Sequence, residues 1–146
     1  MIDENFAENI DTILQHITSL LSKQADQLLL EQLGIGYSQY RVMVLLTLNV
    51  PIKQIEIATR IDQTEASISR QIKLLEGKSL ILKTLNPKNK RIRWIRLTPL
   101  GFRLITSAKS LIVNRNHELL QNLDKKSQKQ IFSSLETINY LITKRS

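Results

Sequence analysis

The sequence predicts a mainly α-helical chain carrying one small β-hairpin. Apolar residues recur at intervals of three and four through most of its length. The exception is 80–97. There Leu80-Ile-Leu82 and Ile92 to Leu97 read as strands around a polar, proline-containing tip, Asn86 to Arg91. Immediately before the hairpin lie two short helical segments, Ile52 to Ile61 and Asp62 to Glu76. Helix, helix, strand, tip, strand is the layout of a winged helix-turn-helix.

Each element has a local reason. Residues 5–31 form a long helix, with Phe6, Ile10, Ile13, Ile17 and Leu20 on one stripe and Leu14, Leu21 and Leu28 widening it. Gly34 and Gly36 end it. Ser38 is the expected cap of the next helix, which turns Val42, Leu45 and Leu46 inward. Asn49-Val-Pro51 closes that helix, because the residue before a proline is pushed out of the helical region. Asp62, with Glu65 three residues on, is the expected capping box of the second short helix, and Gly77 its expected stop. Thr98-Pro99 starts a helix running to about Asn122. Asp124 caps the last one, where Ile131, Leu135, Ile138 and Ile142 recur at helical spacing.

A chain of 146 residues makes one domain, 1–146. Within it, 36–98 is the winged lobe, and 1–35 and 99–146 are helical extensions. There is no cysteine, so disulfides, zinc thiolates and thiol switches are excluded. The acidic start has no basic, apolar leader, and no apolar run is long enough to span a membrane. A cytoplasmic protein is expected.

The net charge of +8 is unevenly spread. Residues 1–35 hold one base and six acids, and 36–109 hold fourteen bases and four acids. From Gly77 through His117 there are ten Lys or Arg and no Asp or Glu. A solvated lysine-rich surface produces such runs too. Here the basic part coincides with the two-helix motif, and phosphate contact explains the coincidence better.

On the second short helix, Ile68, Ile72 and Leu75 share the inward face, and Ala66, Arg70 and Lys73 the opposite one. Thr64, Ser67 and Ser69 are small hydroxyl residues near the helix start. They allow close approach to a groove and can bond base edges or phosphates. Arg70 reaches a guanine or a phosphate. The hairpin adds Lys88, Lys90, Arg91 and Arg93, charges that can follow a backbone or enter a minor groove. Trp94 alternates away from Ile95 and Leu97 and packs on the first strand. The outer helices carry apolar stripes, Ile10, Ile13 and Ile17 in one and Ile131, Leu135 and Ile138 in another. These must bury against something, a monomeric core or a dimer interface.

Leu33 to Gly101 resembles the MarR family of bacterial winged-helix regulators. Tyr37-Ser-Gln-Tyr40 with Val44-Leu45 is similar to the family's opening helix, and Ile55-Glu-Ile-Ala58 to its next. Ser67-Ile-Ser-Arg70, Ile72 and Leu75-Glu76 are similar to its recognition helix. Asn89-Lys-Arg91 stands where the family usually has Asp-Arg-Arg, and Leu97-Thr98 with Gly101 closes the pattern. The resemblance implies a homodimer held by the first and last two helices, two lobes on palindromic double-stranded DNA, and release by a small molecule in many members. It implies that Arg91 is a minor-groove probe and that Ser67, Ser69 and Arg70 contact DNA. Asn89 in place of the acid puts the tip geometry in question. Lys90 in place of the first arginine cannot form a bidentate fork.

His16 and His117 have no ligand partner at helical spacing, and no phosphate-cradling glycine loop or hydrolytic triad is present. No cofactor, no metal and no enzymatic activity are expected. The expected function is a dimeric, sequence-specific transcriptional regulator, a repressor, whose effector, where one exists, binds non-covalently. The rival reading is a winged-helix protein-interaction module that does not bind DNA.

Overall fold

The structure is a computed structural model, and it describes residues 1 and 3–145, the side chain of Ile92 excepted. The elements run α1 (Glu4–Leu33), α2 (Tyr37–Leu46), α3 (Gln54–Arg60), α4 (Glu65–Gly77), β1 (Ile81–Asn86), β2 (Asn89–Leu97), α5 (Pro99–Leu120) and α6 (Lys125–Arg145). The mainly helical expectation with one hairpin holds. The chain divides into two compact units, 1–111 and 112–146.

The first unit is built around an apolar core that includes Val42, Ile68, Ile72 and Leu75, which periodicity placed inward, while Leu45, also expected inward, is half-buried. Val42 and Met43 of α2, Ile57 of α3, and Ile68, Ile72 and Leu75 of α4 are fully buried. Ala25 and Leu29 of α1, Ile81 and Ile95 of the hairpin, and Ile105 and Ala108 of α5 are buried as well. β1 and β2 pair antiparallel from Ile81↔Leu97 to Leu85↔Arg93, with a register shift before Asn86↔Asn89. An isolated bridge, Ile52↔Ile95, adds a one-residue third strand at the edge. Ile52 therefore belongs to the sheet and not to the short helix, which begins at Gln54.

The helix ends depart from expectation, and the reasons are local. Asp62 does not cap α4. Its φ is +53°, and it serves as the left-handed residue that ends α3. Asp62 N–H donates to the Thr59 carbonyl at 3.4 Å and Gln63 N–H to the Ala58 carbonyl at 3.0 Å. These two bonds make a Schellman motif, with aspartate where glycine is usual. Thr64 takes over as cap of α4, its extended backbone (φ −69°, ψ 149°) aiming Oγ1 at the Ser67 N–H. α4 ends at Gly77 as expected, but the left-handed residue that closes it in the same way is Ser79 (φ +56°). Ser79 N–H reaches the Glu76 carbonyl and Leu80 N–H the Leu75 carbonyl, at 2.8 and 3.0 Å. Ser38 is already helical, and the extended residue before α2 is Gly36.

Gly101 fixes where α5 meets the hairpin. A Cβ there would lie 2.0 Å from the Leu80 carbonyl oxygen, so only glycine permits this approach. Thr98 completes the joint, donating from Oγ1 to the Ser79 carbonyl at 2.7 Å and accepting from Gly101 N–H at 3.0 Å. In the second unit Asp124 caps α6 as expected, accepting from Ser127 N–H at 2.7 Å. None of the described residues of α6 is buried.

Candidate nucleic-acid interface

The presentation of α4 is set by its neighbours. With Ile68, Ile72 and Leu75 buried, the opposite side, including Ala66, Arg70 and Lys73, is exposed. Thr64 is exposed, and Ser67 and Ser69 are half-buried. The structure thus places all five α4 candidates, Thr64, Ser67, Ser69, Arg70 and Lys73, where solvent or a ligand reaches them.

Three contacts that the sequence did not reveal hold the α3–α4 turn. The Arg41 guanidinium of α2 donates from Nη2 to the Ile61 carbonyl at 2.7 Å. Gln63 Nε2 donates to Ser38 Oγ at 3.4 Å, and Ser67 Oγ donates to Gln63 Oε1 at 3.1 Å. One guanidinium and one relay of three side chains therefore pin the start of α4 to α2. The available signal was a charged residue, Arg41, within the apolar run of α2. A third tie comes from Lys78, whose ammonium donates to the Gly34 carbonyl and, at 3.5 Å, to Gln39 Oε1.

The hairpin is tighter than its composition suggested. Asn86 Oδ1 accepts from Lys88 N–H at 2.8 Å and Asn89 Oδ1 from Arg91 N–H at 3.0 Å. These side-chain turns shorten the connection to Pro87-Lys88. Arg91 consequently lies within β2 and not in the loop. Asn89 steadies the tip through the backbone of Arg91, a use an amide serves as well as a carboxylate. Lys88, Lys90, Arg91 and Arg93 are all exposed. Trp94 is half-buried, paired across the strands with Thr84, and Arg96 lies 5.8 Å from its ring centroid.

From Gly77 through the hairpin the charge has one sign, whereas Glu65 is an exposed acid in the first turn of α4. The last acid before the acid-free stretch, Glu76, is paired to Lys83 of β1 at 2.9 Å. The partly exposed pair adds little stability. Its effect is to neutralise the carboxylate nearest the hairpin in sequence and to join α4 to β1. Among the described residues no group of three or more His, Cys, Asp or Glu is placed to hold a metal ion.

The expected dimerisation residues separate into two sets. Ile13 and Ile17 of α1 are 53% and 46% exposed, with Ile10 half-buried. In the other unit Ile131 and Leu135 of α6 are 46% and 45% exposed, with Ile138 half-buried. Each stripe is thus largely exposed in the unit to which it belongs.

Residues 35–92, which span α2 to the first residues of β2, match the family model for the MarR family. That segment, less than half of the chain, is what is similar to a MarR-family winged helix. Beyond the matched segment, the whole fold is similar to the transcriptional regulator BldR of Sulfolobus solfataricus, at a TM-score of 0.85 and 19% identity over 99% of each chain. It is similar also to Staphylococcus aureus MepR in complex with DNA, at a TM-score of 0.77 and 23% identity over 89% of this chain and 96% of that one. In sequence it is 26% identical over 102 residues to YdgJ, an uncharacterized HTH-type transcriptional regulator of Bacillus subtilis. That match covers 70% of this chain and 62% of the relative, less than two thirds of its length. Helices α2, α3 and α4 and strand β1 lie within the matched segment, which ends inside β2. No described helix is long and apolar enough to cross a membrane.

Proposed function

We propose that the protein is a homodimeric, cytoplasmic transcriptional regulator that represses by binding a palindromic operator. The observation that carries this reading is the exposed polar and basic face of α4 beside a hairpin of exposed cations with no acid from Gly77 to His117. Residues 36–98 form the DNA-binding lobe. Arg70 and the hydroxyl residues read bases, Lys73, Lys88, Lys90 and Arg93 grip phosphates, and Arg91 enters the minor groove. Residues 1–35 and 99–146 form the dimerisation region, through the uncovered stripes of α1 and α6. Half-sites then lie about 34 Å apart, one helical turn. As a MarR-type fold it acts by binding and not by catalysis.

An effector, where the protein uses one, binds reversibly without covalent chemistry, since no thiol exists. A concavity of about 300 Å³ lined by Tyr37, Tyr40, Arg41, Val44, Leu45 and Ile61 lies beside the Arg41 contact that holds the helix-turn-helix. A ligand there would act on the turn directly.

The test is titration of the full chain against duplex DNA at several salt concentrations, with selection of bound duplexes from a random pool. Steeply salt-dependent binding and a selected palindrome are the expected results. Weak binding with a flat salt response would favour the protein-interaction module.

A further inference from the structure

We propose that Ser67 faces DNA as a hydrogen-bond acceptor and therefore selects an exocyclic amino group, adenine N6 or cytosine N4, in the major groove. The inference rests on the reading of α4 as the helix that enters that groove.

The argument follows the single proton on the Ser67 hydroxyl. A serine hydroxyl has one proton to donate and two lone pairs. Gln63 is anchored at the other end of its amide, where Nε2 donates to Ser38 Oγ at 3.4 Å. That anchor turns Oε1 toward Ser67, whose Oγ lies 3.1 Å away. The Gln63 oxygen has no proton of its own, so this bond consumes the one on Ser67. Only lone pairs remain on the outward side of the hydroxyl. Phosphate oxygens, guanine N7 and O6, adenine N7 and thymine O4 are all acceptors and would be repelled. The amino groups of adenine and cytosine are the donors the major groove offers.

Thr64 is arranged with the opposite polarity. Its Oγ1 accepts from Ser67 N–H at 3.1 Å, and its own proton is not used in that bond. It can donate to a phosphate or to a base acceptor. Two hydroxyls three residues apart thus differ in what they can read, and the difference is imposed by Gln63 and Ser38, neither of which belongs to α4. Gln63 and Ser38 are positioning residues, and their effect on DNA passes through Ser67.

The experiment uses a duplex selected by the full chain from a random pool. Exocyclic amino groups are removed one at a time, with purine in place of adenine and 2-pyrimidinone in place of cytosine. Parallel duplexes carry 7-deazapurines, which lack N7, or methylphosphonates, which lack the phosphate charge. One amino deletion per half-site should weaken the wild-type protein about five- to tenfold, the worth of one neutral hydrogen bond, and leave Ser67→Ala unaffected. Gln63→Leu, which frees the proton, should let Ser67 donate as well as accept, so that duplexes offering an acceptor at that position bind the variant about as well as those offering the amino group. Gln63→Glu, which still offers Ser67 an acceptor, should retain the wild-type sensitivity. Coupling of Ser67→Ala to N7 or to a methylphosphonate would place the proton on the DNA side and overturn the assignment. Absence of coupling to any analogue would overturn it too. A chain that selects no duplex brings down the DNA reading itself, whereas coupling to the wrong atom leaves that reading intact.

Discussion

Helices α4 and α6 carry the same kind of signal in sequence and meet different fates in the structure. Each has apolar residues at intervals of three and four. In α4 these residues, Ile68, Ile72 and Leu75, have no solvent exposure. In α6 none of the described residues is buried, and Ile131, Phe132, Leu135, Leu141 and Ile142 stand open. Periodicity therefore shows that a face is to be covered without saying what covers it. Helix α4 finds its cover within its own chain. The stripe of α6 is the one that the proposed dimer would cover.

The comparison breaks most readily at Ile72. Ile72→Ala should destabilise the fold by about 2–5 kcal/mol in chemical denaturation, equally at low and high protein concentration, because its cover is intramolecular. Leu135→Ala should instead act through association, costing on the order of 2 kcal/mol of dimerisation if the residue is central to the interface. Analytical ultracentrifugation across concentrations would show it. A wild-type chain that stays monomeric at micromolar concentration would remove the distinction between the two helices.

The outward face of α4 sharpens the comparison on the functional side. Arg70→Ala should cost about 1–3 kcal/mol on a selected operator and less on random duplex. Lys88→Ala should weaken all duplexes alike and lower the salt slope by about one unit. Equal losses for the two variants on every duplex would mean that α4 grips phosphate only.

The smallest effect concerns the start of α6. The Asp124 carboxyl is held below its ordinary value of 3.8, first by the Ser127 backbone N–H and then by the Ser127 hydroxyl. A depressed carboxyl contributes stability above its unfolded pKa and loses it as pH falls through the folded value. The first turn of α6 should fray in strong acid, seen as slow-exchange amide protection lost at Ser127. Asp124→Asn should keep the cap and abolish that pH dependence.

The same contrast explains what the sequence could disclose. The inward face of α4, the Thr98-Pro99 helix start and the Asp124 cap depend on neighbouring residues, and all were legible. The cap of α4 was not. Asp62 and Glu65 fit the capping pattern, but Asp62 was already committed to ending α3 with a left-handed backbone. Which of two adjacent polar residues caps a helix depends on how the previous helix ends. The hairpin tip was read as wider than it is, because Asn86 and Asn89 close it through backbone bonds that leave no trace in hydropathy. Arg41 and the Ser38–Gln63–Ser67 relay were invisible because their partners are 20 and 25 residues apart. The nine DNA-contact candidates all proved accessible, whereas the network that orients them came only with the fold.

The acid-free run from Gly77 to His117 bears on kinetics as well as affinity. Under the proposed function, a reader with so basic a wing would spend its time on arbitrary stretches of duplex and travel by sliding and hopping. The number of copies needed to keep one operator occupied then follows from how much better that operator binds than the millions of competing sites. Removing a wing lysine would loosen both kinds of complex together. It would change how fast the target is found, and leave the choice of target to the base contacts proposed for α4.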